Sequence, residues 1–271
     1  MVLHYIFLIL SILISIFIFI LTGLYTTWYW YFIPIVGVVL IYLSIFLVFV
    51  IYLCISSLFI NRKKEVKKPN KFSYFIIVNF LHIAFMLLRI KVCKKNLDLL
   101  INQRCLIISN HQSAFDPMLL LLYAKNTPLI CVTKPENIKI PVAGPYLHSA
   151  GFIAIDRENN FEAAKAISKA TSFIKKDYSS IYICPEGTRN TNGGLLPFHA
   201  GSFKIAQKSQ CPIVVTSVNN TKNIFKKFIF FRKKVSLNII KVISYEEYKD
   251  LNTNQLAELT RDLILNDLKE D

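Results

Sequence analysis

The sequence predicts an α/β domain, a mostly parallel sheet flanked by helices, preceded by an N-terminal transmembrane helical hairpin. Three observations carry this expectation. No Asp, Glu, Lys or Arg occurs between Met1 and Asn61, and within that stretch residues 3–25 and 33–60 are apolar runs each long enough to cross ~30 Å of hydrocarbon. From about residue 97 short apolar runs alternate with helical patterns, the signature of βαβ units. Between one such run and a helix start lies a polar loop, Asn110-His111-Gln112-Ser113-Ala114-Phe115-Asp116, at the strand-to-helix turn where open α/β folds bind ligands.

The two apolar runs are separated by Thr26-Thr27-Trp28-Tyr29-Trp30-Tyr31, aromatic residues suited to a membrane interface. A cleaved signal peptide fits less well, because there is no positive n-region, the first run is too long and a second follows. Arg62, Lys63, Lys64, Lys67 and Lys68 come next, and the positive-inside rule puts them, both ends of the hairpin and the α/β domain on the cytoplasmic face. Residues 72–88 are a shorter apolar stretch with Asn79, His82, Met86 and Arg89 at helical spacing on one face, as in a helix lying in the interface or packed on the domain. The expected division is 1–61 hairpin, 62–96 basic linker with interfacial helix, and 97–271 cytosolic domain.

In that last part strands are expected near 105–109, 129–133, 152–155, 180–184, 212–218 and 235–243. Helices are expected near 117–124, 159–176 and 199–209. A final amphipathic helix near 254–268 presents Leu256, Leu259, Leu263 and Leu268 on one side. The six cysteines are dispersed, several within apolar runs and with no Cys-x-x-Cys pair. They read as reduced core residues of a cytosolic compartment, with neither a disulfide framework nor a metal site.

The formal net charge of +15 resides wholly on residues 62–271 and requires an acidic neighbour: nucleic acid, anionic lipid headgroups or a phosphorylated substrate. No nucleic-acid motif accompanies the charge, so no nucleic-acid partner is expected.

His111 and Asp116 are close enough in sequence for one turn to bring them together. A neutral imidazole can take a proton from an alcohol, and a carboxylate on its other nitrogen stabilises the imidazolium that forms. No serine or cysteine stands in a recognisable nucleophile elbow, so the attacking hydroxyl belongs to the substrate. The plainer alternative is an aspartate N-cap beside a turn histidine. At the end of Ile181-Tyr182-Ile183-Cys184 comes Pro185-Glu186-Gly187-Thr188-Arg189. At the end of Phe152-Ile153-Ala154-Ile155 comes Asp156-Arg157. Either arginine alone is an ordinary ion-pair residue. Two at strand ends beside a Gly-Thr turn suggest an anion site, since the guanidinium fork matches phosphate oxygens.

These blocks resemble the lysophosphatidic acid acyltransferase (1-acyl-sn-glycerol-3-phosphate acyltransferase) family of glycerolipid acyltransferases. The resemblance covers about residues 105–218 through Asn110-His111 with Asp116, Gly151 to Arg157, Pro185 to Arg189, and Pro212-Ile213-Val214. It extends to Lys134, Ile140 to Gly144, Leu196-Pro197-Phe198 and Gly201-Ser202-Phe203. Departures are His199, where a lysine is common, and Val215, where a second proline is usual. The resemblance implies acyl transfer from acyl-CoA or acyl-carrier-protein to the sn-2 hydroxyl of lysophosphatidic acid, giving phosphatidic acid in phospholipid synthesis, with no further cofactor. It implies His111 as general base, Asp116 as its orienter, and Arg157 and Arg189 on the acceptor phosphate with Glu186, Gly187 and Thr188 assisting. Glycerol-3-phosphate or another lysolipid is the alternative acceptor, and a non-catalytic membrane scaffold the alternative class.

Outside those blocks, residues 223–234 interleave four phenylalanines with five cations. Two readings stay open for them: a buried edge strand at 228–231 turning into the strand at 235–243, or a second contact with anionic membrane lipids.

Overall fold

The computed structural model describes residues 2–23, 28–100, 102–123, 128–156, 159–190, 194–224 and 231–270. Arg157 and residues 225–230 lie outside the described residues, and with them one expected phosphate ligand and half of the phenylalanine-cation stretch.

Helices α1 (Val2–Thr22) and α2 (Ile33–Leu58) are long and apolar enough to cross a membrane and pack on each other as a hairpin. On α1 only Phe7, Ser11, Ser15 and Phe19 are buried, a stripe at four-residue spacing, while side chains such as Leu13 and Phe17 stay exposed. Close approach occurs where Ser15 Oγ donates to the Pro34 carbonyl at 2.8 Å. A side chain on Gly37 would collide there, its Cβ falling 2.5 Å from that oxygen.

Helix α3 (Lys71–Leu87) is capped by Asn70, whose side chain accepts from Ser73 N, the short polar side chain satisfying an orphan amide. It packs on the domain core through Phe85 and on Leu53 of α2 through Ile76. Asn79, on the expected polar face, is buried, donating to Phe75 O at 2.9 Å and accepting from Leu3 N at 3.3 Å.

The sheet has seven strands in the order β1-β7-β6-β2-β5-β3-β4. These are β1 (Ile90–Lys95), β2 (Leu106–Ser109), β3 (Leu129–Thr133), β4 (Ile153–Ala154), β5 (Ser180–Ile183), β6 (Ile213–Asn219) and β7 (Lys233–Ile243). Every pairing is parallel except β6 with β7, so the expectation of a mostly parallel sheet holds. β2, β5 and the first six residues of β6 are fully buried, as strands covered on both faces must be. Helix α4 (Phe115–Tyr123) crosses from β2 to β3. Helices α7 (Asn160–Lys175) and α8 (Lys204–Ser209) return the chain from β4 to β5 and from β5 to β6, in the opposite direction. Right-handed crossovers therefore put α4 on one face and α7 and α8 on the other.

Three expectations need correction. Residues 90–95, assigned to the basic linker, form β1, so the sheet begins at Ile90, ahead of the first strand expected near 105–109. Its lysines mark an edge strand with only Ile90 and Val92 turned inward. The helix at 199–209 is a 3-10 turn at Ala200–Phe203 followed by α8. The last helix, beginning at Thr253 and ending at Glu270, buries Leu256, Ala257, Thr260 and Ile264, whereas Leu259 is 41% exposed. Leu256, Leu263 and Leu268 face the core as expected; the leucine count errs at Leu259 and misses Thr260, whose hydroxyl satisfies itself on the Leu256 carbonyl.

Two short helices missed from sequence, α5 (Pro135–Lys139) and α6 (Ala143–Ser149), join hairpin to domain. From α6, the Tyr146 hydroxyl lies 2.7 Å from Ser56 Oγ on α2, and His148 Nε2 lies 2.9 Å from the Lys64 carbonyl.

Candidate active site

His111 sits just beyond the carboxyl end of β2, in the middle of the sheet. Asn110 fixes it there. Its amide donates to the Val218 carbonyl and accepts from Val218 N, both at 2.8 Å, so a side chain prolongs the β2-β6 ladder past the end of β2. On the other flank, the Asn190 amide donates to the His111 carbonyl at 2.8 Å.

The loop then folds back on Asp116, which is fully buried. Oδ2 of Asp116 accepts from His111 Nδ1 at 2.8 Å, Gln112 N at 2.7 Å and Ser113 N at 2.8 Å. Backbone amides can only donate, so this oxygen carries no proton and Nδ1 must be the protonated ring nitrogen. In the neutral ring Nε2 is therefore the basic nitrogen. Oδ1 accepts from the Thr221 hydroxyl at 2.5 Å. Asp116 is thus no simple N-cap: it gathers the preceding loop around the imidazole, while the Ser113 hydroxyl accepts from Phe115 N at the start of α4.

Electrostatics follow from this packing. Burial opposes charge on the imidazole, but the neighbouring Cys184 sulfur together with the hydrogen bond and charge of Asp116 outweigh it, pushing His111 up to about 10. Cys184 is buried, with Sγ 3.0 Å from the Tyr182 hydroxyl, itself 2.6 Å from Ser109 Oγ.

Glu186 meets the histidine through the backbone. Oε1 accepts from His111 N at 2.6 Å and Oε2 from Leu196 N at 3.0 Å. Burial raises this carboxyl above its ordinary range, with both backbone donors pulling the other way. Gly187 adopts φ 78°, a left-handed turn conformation that a side chain would strain. It turns the chain so that Thr188 and Arg189 emerge into solvent. Arg189 makes no ion pair among the described residues. His199, likewise exposed, gives its amide to the Pro185 carbonyl at 2.9 Å.

The structure thus brings His111, Asp116 and Glu186 into one hydrogen-bonded cluster and puts the Gly187-Thr188-Arg189 turn at the same sheet edge. Sequence reasoning missed Thr221 and the clamp made by Asn110. Thr221 follows the end of β6 after a left-handed Asn220, and nothing local distinguishes it from a turn threonine.

An acyltransferase family model matches residues 90–219. The chain is 31% identical to the 1-acyl-sn-glycerol-3-phosphate acyltransferase of Saccharomyces cerevisiae over 70% of its own length and 64% of that protein. It is 34% identical to the enzyme of that name from Haemophilus influenzae over 59% of its length and 67% of that protein. In fold it is similar to the crystal structure of the 1-acyl-sn-glycerophosphate acyltransferase of Thermotoga maritima, with TM-score 0.60 at 23% identity, covering 73% of this chain and 78% of that one. With the His111-Asp116 loop and the Glu186-Gly187-Thr188-Arg189 turn in the matched region, the chain belongs to the 1-acyl-sn-glycerol-3-phosphate acyltransferase family.

Proposed function

We propose that the protein transfers an acyl chain from acyl-CoA or acyl-carrier-protein to the sn-2 hydroxyl of lysophosphatidic acid, giving phosphatidic acid at the cytoplasmic face of a membrane. The observation that carries this reading is His111 with Nδ1 held by an acceptor-only oxygen of Asp116, which makes Nε2 the basic nitrogen of the neutral ring. The adjacent thiol, Cys184, is buried and committed to Tyr182, so the nucleophile is the acceptor's own hydroxyl.

Nε2 takes the proton from that hydroxyl as its oxygen bonds to the thioester carbonyl carbon. The tetrahedral intermediate collapses, the carbon-sulfur bond breaks, and the leaving thiolate recovers the proton from the imidazolium. Asp116 stabilises the imidazolium in between. The acceptor phosphate is assigned to Arg157 and Arg189 with the Gly187-Thr188 turn, and Glu186 positions His111 by its backbone amide. The relatives' names support lysophosphatidic acid as acceptor, and the two long apolar helices support a membrane location next to a lipid substrate.

The test is acylation by the purified full chain offered acyl-CoA with glycerol-3-phosphate, lysophosphatidic acid or lysophosphatidylcholine. Product from lysophosphatidic acid alone supports the reading. Product chiefly from another acceptor reassigns the substrate, and a His111→Ala protein as active as the wild type overturns the mechanism.

A further inference from the structure

The proposed acceptor ligands Arg157 and Arg189 follow β4 and β5, on one side of β2 in the sheet order. On the other side, across β6 and β7, is a second cationic feature that the mechanism does not use. Arg232, Lys233 and Lys234 open the antiparallel strand β7, which begins at the sheet edge where β6 ends. With Asn220 and Asn223 they line a cavity of about 410 Å³. The two asparagines flank Thr221, the residue bonded to Asp116, so the cavity adjoins the loop that holds the catalytic pair.

No carboxylate among the described residues pairs with these charges. Arg232 and Lys234 are exposed and make no ion pair among the described residues. Lys233 is only 4% exposed, and among the described residues its ammonium, with three N–H donors, meets one acceptor, the Leu88 carbonyl at 3.0 Å. That bond explains why Lys233 lies near the end of α3, and its other donors meet no acceptor among the described residues. Three adjacent cations repel one another, and a buried ammonium without a carboxylate is costly; an anion in the cavity offsets both.

We propose that Arg232, Lys233 and Lys234, with the Asn220 and Asn223 amides, seat the phosphate groups of a coenzyme A thioester, so that donor and acceptor phosphates are held on opposite sides of His111. The assignment rests on the acyl-transfer reading above and sharpens it by naming the donor. The shared chemistry is a phosphate group, which a lipid headgroup also carries. A concave cavity containing a buried lysine suits a nucleotide phosphate flanked by amide hydrogen-bonding groups, whereas headgroups in a bilayer meet protruding side chains. An acidic carrier protein would likewise engage exposed cations rather than Lys233.

The experiment uses the full chain in zwitterionic phosphatidylcholine vesicles, with and without added phosphatidylglycerol, and the Arg232→Gln/Lys234→Gln variant. Lys233 is left intact because it holds the end of α3. The donors compared are acyl-CoA, acyl-pantetheine and acyl-carrier-protein, and adenosine 3′,5′-diphosphate serves as a competing probe. The expected result is a KM for acyl-CoA raised about ten-fold or more in the variant, the size of one or two lost charged hydrogen bonds. KM for lysophosphatidic acid and acyl-pantetheine should move far less, and inhibition by the diphosphate should weaken in parallel. An equal effect on acyl-CoA and acyl-pantetheine overturns the proposal. So does a variant defect seen only when phosphatidylglycerol is present, which assigns the cavity to lipid headgroups, or one confined to acyl-carrier-protein, which assigns it to a protein carrier. Absence of transfer by the wild type from every donor is the separate outcome that defeats the functional reading itself.

Discussion

Thr221 donates a 2.5 Å hydrogen bond to Oδ1 of Asp116 across 105 residues of sequence, while the other oxygen of that carboxylate serves the histidine. The loop after β6 therefore sets the rotation of the carboxylate that orients the base. Thr221→Val keeps the shape and removes the donor, leaving a buried carboxylate short of one partner. Hydrogen bonds to charged groups are worth about 1.5–3 kcal/mol, so stability should fall by that amount and kcat by about ten-fold. Thr221→Ser should restore both. Kinetics with thermal denaturation decide it: a lowered Tm with normal kcat leaves Thr221 structural only.

Activity should rise with pH. His111 acts as a base only when neutral, and its pKa is raised from the ordinary 6.5 to about 10, so kcat/KM should climb from neutrality towards that value. Asp116→Asn should move the limb to lower pH while cutting the rate at least as much as general-base assistance contributes, about 10²–10⁴-fold. The stability linkage runs the other way. A raised histidine pKa favours the folded state fully below about 6.5, and that contribution is lost as pH rises towards 10. A kcat/KM profile flat between pH 6 and 9, with chemistry rate-limiting, would count against this electrostatic picture.

Glu186→Gln replaces one acceptor oxygen by an NH₂ group facing a backbone N–H, either that of His111 or that of Leu196. The unpaired group costs about 1–3 kcal/mol. The expected outcome is a lower unfolding midpoint with a fall in kcat, as the His111 backbone shifts. A rise in KM for lysophosphatidic acid with stability and kcat intact would make Glu186 a substrate ligand instead.

For Arg189, exposed and without an ion pair among the described residues, substitution by lysine keeps the charge and loses the two-pronged fork. KM for lysophosphatidic acid should rise about ten-fold while that for the acyl donor changes little. Equal changes in both constants would remove Arg189 from the acceptor site.

Gly144→Ala tests the joint between hairpin and domain. A Cβ at this position would lie 2.1 Å from the Ile138 carbonyl oxygen, a backbone atom that cannot swing away. The variant should lose about 1–3 kcal/mol and loosen α6, whose Tyr146 bonds Ser56 of α2. An unchanged denaturation midpoint would contradict the packing of α6 against α5.

The sequence by itself determined the two charge-free helices, the buried strands and the pairing of His111 with Asp116, because each depends on residues close in the chain. Charge exclusion, apolar runs and a one-turn separation are local signals. Only the tertiary structure decided that β1 exists, since an edge strand buries one face and its lysines resemble a basic linker. It also decided that β7 runs against β6, that Glu186 holds backbone amides, and that Thr221 reaches Asp116. Those contacts follow from the strand order β6-β2-β5, which brings together chain ends separated by 75 and 105 residues. Local hydrophobic patterns record how deeply an element is buried, but the element beside it is chosen by how the whole sheet closes its core.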